Sequence, residues 1–231
     1  MTIEERAGEI LDRMARAAAK AGKTPGDILL VAVTKTRTVQ EMLSAATFAG
    51  AIGENRVQEA EEKKKIWPSE NAPDLPWRLI GHLQCNKVRK AMGLFDTVDS
   101  LDSSALAERL ERIAGEMGHT LPVLIEVNTA QEMSKTGIDP KDFDSLLERV
   151  LNLPHLRLEG LMTIGPLTED ESSVRRAFAG LRDLALGARE RSGLPLPVLS
   201  MGMSGDFEWA IQEGSTMVRI GSALFGPRNY K

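Results

Sequence analysis

Three observations predict a single (β/α)8 barrel. Short apolar runs recur about eight times, and each is followed by a stretch with helical spacing. The chain has 231 residues, close to the roughly 250 typical of that fold. No linker or low-complexity stretch divides it, so residues 1–231 read as one domain with an extra N-terminal helix. An open doubly wound sheet is the alternative arrangement of the same elements.

Ile3, Ala7, Ile10, Leu11, Met14 and Ala18 recur at helical spacing, so residues 2–21 read as an amphipathic helix stopped by Gly22. Thr24-Pro25-Gly26-Asp27 then turns the chain. Ile28 to Val33 is an unbroken apolar run, the pattern of a strand buried on both faces, and it leads to Lys35. A lysine buried there would lose the solvation of its ammonium and become a nucleophilic amine. A lysine that ends a strand and reaches out to water is the plainer reading. Thr38 with Glu41 forms a capping box for a helix to about Ala49.

The alternation then repeats. Ala51-Ile52-Gly53 is a strand ending in Glu54-Asn55, and residues 56–66 are a helix. Its Glu61-Glu62-Lys63-Lys64-Lys65 run reads as a solvated face, with Glu61 and Lys65 paired at i,i+4. Residues 68–76 form a proline-bearing loop. Trp77 to Ile80 is the third strand, residues 86–92 a short helix, and Phe95 to Val98 the fourth strand. Asp102 or Ser103 caps a helix through Met117. Val123 to Val127 is the fifth strand, with a loop to Gly137 and a helix over 140–151. Strands over 158–164, 198–201 and 217–220 alternate with helices over 171–191 and 206–213.

Composition narrows the function. Hydrophobic content of 42% and charged content of 27% are those of an ordinary globular protein. A net charge of −4 argues against a general nucleic-acid binder, and 4% aromatic content offers no stacking platform for single strands. No apolar run approaches the roughly 20 residues of a membrane span, and the N-terminus lacks a signal-peptide core. Cys85 is the single cysteine, so an internal disulfide and a cysteine-based zinc site are excluded. A reducing cytoplasm is the expected location, with no metal, nucleic-acid or membrane partner and a monomeric chain.

In barrels of this kind the site lies at the C-terminal ends of the strands. Lys35, Asn55, His82, Lys135, Ser200 and Arg219 fall there. The loops after strands seven and eight, where barrels often bind phosphate, carry Ser204-Gly205 and Gly221-Ser222. Glycine lets backbone N–H groups approach an anion, and the hydroxyl beside it adds a donor. A Schiff-base lysine together with such a cup suggests pyridoxal 5′-phosphate (PLP). His82 reads as a structural residue of its turn. His119 and His155 lie near helix-to-strand junctions, at the far end of the barrel.

Several stretches carry a more specific likeness: Ala32-Val33-Thr34-Lys35, Gly53-Glu54-Asn55-Arg56-Val57-Gln58-Glu59, Gly81-His82-Leu83-Gln84 with Asn86-Lys87, Gly160-Leu161-Met162-Thr163-Ile164, Ser200-Met201-Gly202-Met203-Ser204 and Val218-Arg219-Ile220-Gly221. In this order the sequence resembles the pyridoxal phosphate homeostasis proteins, relatives of the barrel domain of alanine racemase. The resemblance implies intracellular PLP homeostasis, with the cofactor held as a Lys35 aldimine and no efficient turnover. It implies Arg219 against the pyridine nitrogen and Ser204, Gly221 and Ser222 around the phosphate. Asn55 and Ser200 match positions lining the cofactor, and Lys135 matches a lysine near it. Arg37 stands where many relatives have lysine. Gly205 replaces a common aspartate and Ser222 a common threonine.

PLP-dependent apoenzymes are the expected recipients of the cofactor, and no residue is assigned a catalytic role. The alternatives are a PLP-dependent amino-acid racemase and a class I aldolase using Lys35 directly. Racemisation needs a base on each face, and the single tyrosine, Tyr230, stands next to the terminus, where fraying is expected. No second β domain follows to supply one, so trace turnover is expected.

Overall fold

The computed structural model describes residues 1–67, 72–132 and 135–227. Tyr230 and part of the loop after residue 67 lie outside them. Eight parallel strands close into a barrel in sequence order, β1 pairing with both β2 and β8. They are β1 (Leu29–Val33), β2 (Ala51–Glu54), β3 (Trp77–Leu79), β4 (Thr97–Leu101), β5 (Leu121–Glu126), β6 (Leu156–Met162), β7 (Val198–Ser200) and β8 (Met217–Ile220). The helices are α1 (Ile3–Lys20), α2 (Val39–Ala46), α3 (Val57–Ile66), α4 (Val88–Met92), α5 (Ser104–Met117), α6 (Phe143–Leu151), α7 (Glu171–Ser192), α8 (Phe207–Gln212) and α9 (Ser222–Phe225). The expected barrel with its extra N-terminal helix is the observed fold.

Side-chain alternation explains how each strand serves two layers. Leu30, Ala32, Ile52, Leu79, Val98, Val218 and Ile220 belong to the large core shared with the helices. Val31, Ala51 and Met217 form a separate small cluster with Leu29 and Val198, which plugs the inside of the barrel. Val31 lies opposite Arg219, so the arginine stands in the same inward layer as Val31, two residues beyond Met217 on β8. Thr2, Thr38, Ser103 and Asp170 cap α1, α2, α5 and α7 through their side chains. The last helix, α9, is a single turn, and α1 fills the outer layer beside it, packing on α8, α9 and α2. Arg13 of α1 reaches Glu208 of α8 at 2.6 Å.

Two local expectations fail. The fourth strand is Thr97–Leu101, later than the apolar reading, because its inward residues are polar. Arg78 grips both oxygens of Asp99, at 2.8 and 2.9 Å, inside the barrel. Nor is the charge run of α3 uniformly solvated. Lys63 is 7% exposed and pairs with Glu54 and Glu59, each at 2.6 Å, while Glu61 pairs with Lys90 across to α4.

Candidate functional site at the C-terminal mouth of the barrel

A cavity of about 450 Å³ opens at the C-terminal ends of the strands. Lys35, Asn55, Ser204, Gly205, Arg219, Gly221 and Ser222 supply its polar lining, and Val33, Ile80, Ile164, Leu167 and Met203 its apolar lining. Volume alone does not mark this place. A larger hollow of about 750 Å³ lies between the start of α6 and the flank of α7, with none of the sequence-predicted site residues on it.

Lys35 sits two residues past β1, half-buried. Val33, two residues before it, faces the cavity beside Gly221, where an added Cβ would stand 3.4 Å from the valine Cβ. Arg219 is 4% exposed. It donates to Ser200 Oγ at 2.7 Å and to the Thr163 carbonyl at 2.8 Å. Burial pulls its pKa below the usual guanidinium value, and the charges of Asp99, Glu126 and Asp206 oppose that shift. Ser200 is fully buried and holds the arginine, and it is not among the residues lining the cavity.

Asn55 follows β2, and its Oδ1 is buried with no hydrogen-bond partner among the described residues. The asparagine fits only because Gly81 has no side chain: a Cβ there would fall 2.4 Å from the Asn55 carbonyl oxygen. Ser204 Oγ accepts from the Ala223 N–H at 3.1 Å, which ties the loop after β7 to the first turn of α9. An added Cβ at Gly205 would meet nothing within 4 Å, so its backbone is open to approach.

The remaining residues expected at the strand ends stand aside from this cavity. Lys135 lines an adjoining cavity of about 510 Å³ that shares Ile164, Leu167, Met203 and Gly205 with the first. Its Nζ donates to the Gly165 carbonyl at 2.5 Å and to Glu132 at 3.1 Å. His82 lies 3.0 Å from Asp102 and lines a further depression that shares Asn55. His155 pairs with Glu111 at 2.6 Å, away from the mouth. Arg37 donates to the Gly226 carbonyl at 2.5 Å and is not on the cavity wall.

Two acids near Arg219 escaped the sequence reading. Glu126 ends β5 and accepts from Thr136 at 2.6 Å, and burial raises its carboxyl pKa. Asp206 accepts from the Met203 N–H at 2.5 Å, and burial raises its carboxyl too. Each lay in a stretch assigned to strand or helix, and no local spacing sets either apart.

Comparison with known proteins identifies the chain's relatives. The family model for the alanine racemase N-terminal domain matches residues 9–229. The pyridoxal phosphate homeostasis protein of Aquifex aeolicus is 39% identical over 233 residues, covering 100% of both chains. That of Escherichia coli K12 is 38% identical, over 99% of this chain and 97% of its own. The solved structure of PipY from Synechococcus elongatus PCC7942, with PLP bound, superposes with a TM-score of 0.81 at 38% identity, covering 92% of this chain and 100% of PipY. An alanine racemase from Clostridium difficile shares the fold at 15% identity, with a TM-score of 0.71 over 60% of its chain.

Proposed function

The chain belongs to the alanine racemase N-terminal domain family and, within it, to the pyridoxal phosphate homeostasis proteins, and on that premise we propose that it binds PLP in the Lys35 cavity. The finer reading is a carrier that holds the cofactor as an aldimine on Lys35 and does not turn over a substrate efficiently. The observation that carries it is the convergence of one amine, one buried arginine and a glycine-and-hydroxyl cup on one cavity.

The lining fits the group. When bound, PLP supplies an aldehyde carbon, a phosphate dianion and a pyridine nitrogen. The Lys35 amine can bond to the aldehyde carbon, releasing one water and changing no oxidation state. Ser204, Gly221 and Ser222 offer hydroxyl and backbone donors to a dianion, and the glycines let it come close. Arg219 can only donate, so facing the ring nitrogen it favours the unprotonated form and weakens the ring as an electron sink. Ser200 and the Thr163 carbonyl fix the guanidinium, and the buried Asn55 Oδ1 is an acceptor ready for a donor. Apolar Val33, Ile80 and Ile164 keep water from part of the cavity.

The non-catalytic reading rests on the same lining. Among the described residues of this cavity, Lys35 is the single amine, with no carboxylate, imidazole, thiol or phenol to act on an opposite face. Losing one acid–base partner removes about 10²–10⁴-fold of rate. PLP-dependent apoenzymes are the proposed recipients. The test is a visible spectrum of the PLP-loaded protein, borohydride reduction and peptide mass mapping. We expect a band near ~420 nm and a pyridoxyl adduct on Lys35. An adduct mainly on Lys135 or Lys87 refutes the assignment. Racemisation of L-alanine at or above about 1 s⁻¹, an ordinary enzyme rate, makes the protein a racemase.

A further inference from the structure

We propose that Lys63 is a positioning residue for Lys35: its buried ammonium splints the β1–α2 loop on both sides of the site lysine. The inference rests on the reading of Lys35 as the lysine that bonds to PLP. Lys63 projects from α3 with nearly all of its surface covered, and its three N–H groups meet three acceptors. They are the Thr34 carbonyl at 2.7 Å, Glu54 Oε1 at 2.6 Å and Glu59 Oε1 at 2.6 Å. Both flanks of Lys35 are thereby caught. Thr34, before it, is held through its carbonyl and also donates its hydroxyl to Glu54 Oε1 at 2.6 Å. Thr36, after it, donates its N–H to the same Glu59 oxygen at 2.5 Å.

The conformation shows why such a hold is needed. Thr36 has φ +65°, a left-handed backbone that a β-branched residue rarely adopts. Strain of that kind persists only where the surroundings over-determine it. A lysine serving merely to dock α3 on β2 would need Glu54 alone. Here one N–H goes to the backbone before Lys35 and another to the carboxylate that binds the backbone after it. No member of the network is itself a lining residue of the cavity or part of the cup, so its action falls on where the Lys35 amine stands and not on the phosphate donors.

The experiment compares Lys63→Met, Lys63→Arg and Glu59→Ala with the wild-type chain. The probes are PLP and pyridoxine 5′-phosphate, which has the ring and phosphate but no aldehyde. Hydrogen exchange at the Thr36 amide is read without any ligand. In Lys63→Met we expect the rate of imine formation with PLP to fall by about tenfold or more, because a small misplacement of a reacting group is costly. Pyridoxine 5′-phosphate should bind within about twofold of wild type, since its contacts are unchanged. Thr36 exchange should quicken, and Lys63→Arg should restore part of the rate. Glu59→Ala keeps the test decisive if Lys63→Met does not fold: it frees the Thr36 N–H and should slow imine formation in the same way. Unchanged imine kinetics and Thr36 exchange in a folded variant overturn the proposal. So does an equal loss of both ligands, which would mark general damage. If the wild-type chain forms no imine, the reading of Lys35 fails, while the Thr36 exchange still reports whether the splint exists.

Discussion

The loops after β1 and β5 each bring a lysine to the barrel mouth, and they are held in opposite ways. The first is gripped within the wall, by a Lys63–Glu54–Glu59 cluster between β2 and α3. The second is held across the top. Glu132 accepts from the Leu167 N–H at 3.2 Å and Lys135 donates to Gly165, so it clasps the neighbouring loop with half-buried groups. Leu167, on that neighbouring loop, is 95% exposed although it lines the cavity. One side of the mouth is therefore a fixed wall and the other a cover made of partly exposed bonds. Exposed pairs are worth little, whereas breaking a buried one leaves charges stranded. The barrel places Lys35, the amine proposed to bond to PLP, on the fixed side.

The largest test of that contrast is stability. Lys63→Met should cost about 3–5 kcal/mol in urea unfolding, because the fully buried Glu54 loses its counter-charge and the half-buried Glu59 loses its partner. A cost below about 1 kcal/mol would make the two loops equivalent. Next in size is the cup on the fixed side. Gly221→Val should weaken PLP binding by roughly tenfold, or about 1.4 kcal/mol, measured by titration. Gly205→Ala, where an added Cβ meets nothing within 4 Å, should change it by less than about twofold. Equal effects at both positions would remove the phosphate from the cup. On the cover side, Lys135→Ala should cost about 1 kcal/mol or less and leave the borohydride adduct on Lys35.

The smallest expected effect is a pH slope. Burial raises the Glu54 and Glu126 carboxyl pKa values in the folded chain. Between the free carboxyl value of about 4.3 and those raised values, the folded state holds more protons than the unfolded one. Stability contributed by these groups therefore falls as pH rises through that window. Glu126→Gln should flatten the fall in Tm with rising pH, and an unchanged slope would exclude Glu126 as its source.

The barrel was legible because outward-facing strand residues are continuously apolar, and the helices that cover them declare their caps. Legibility stopped where the inward row turns polar. Asp99 and Ser100 broke the apolar signal of β4, although Arg78 and the Gly81 carbonyl satisfy these buried groups. Lys63 was hidden among like residues. The one available hint was phase, since Val57, Ala60 and Lys63 follow one another at three-residue steps along the buried face of α3. The cavity residues Lys35, Asn55 and Arg219 were legible as strand-end polar groups and Ser204, Gly221 and Ser222 as glycine-and-hydroxyl loops, whereas Ser200 proved to stand behind Arg219. The acids near Arg219 could not be found, because burial depends on neighbours distant in sequence.

The seating of α1 has a consequence for how the molecule comes into being. Its apolar face is made before β1, yet two of the three helices it packs on, α8 and α9, follow β7 and β8; the Arg13–Glu208 contact alone spans 195 positions. Contacts so far apart in sequence form slowly and late. During synthesis the part of that face that meets α8 and α9 waits, uncovered, until almost the whole barrel has emerged, a period in which a holding chaperone would find it. Closure of the ring and burial of this first helix are then one event, and α9, which bears Ser222 of the cup, is set in place by it.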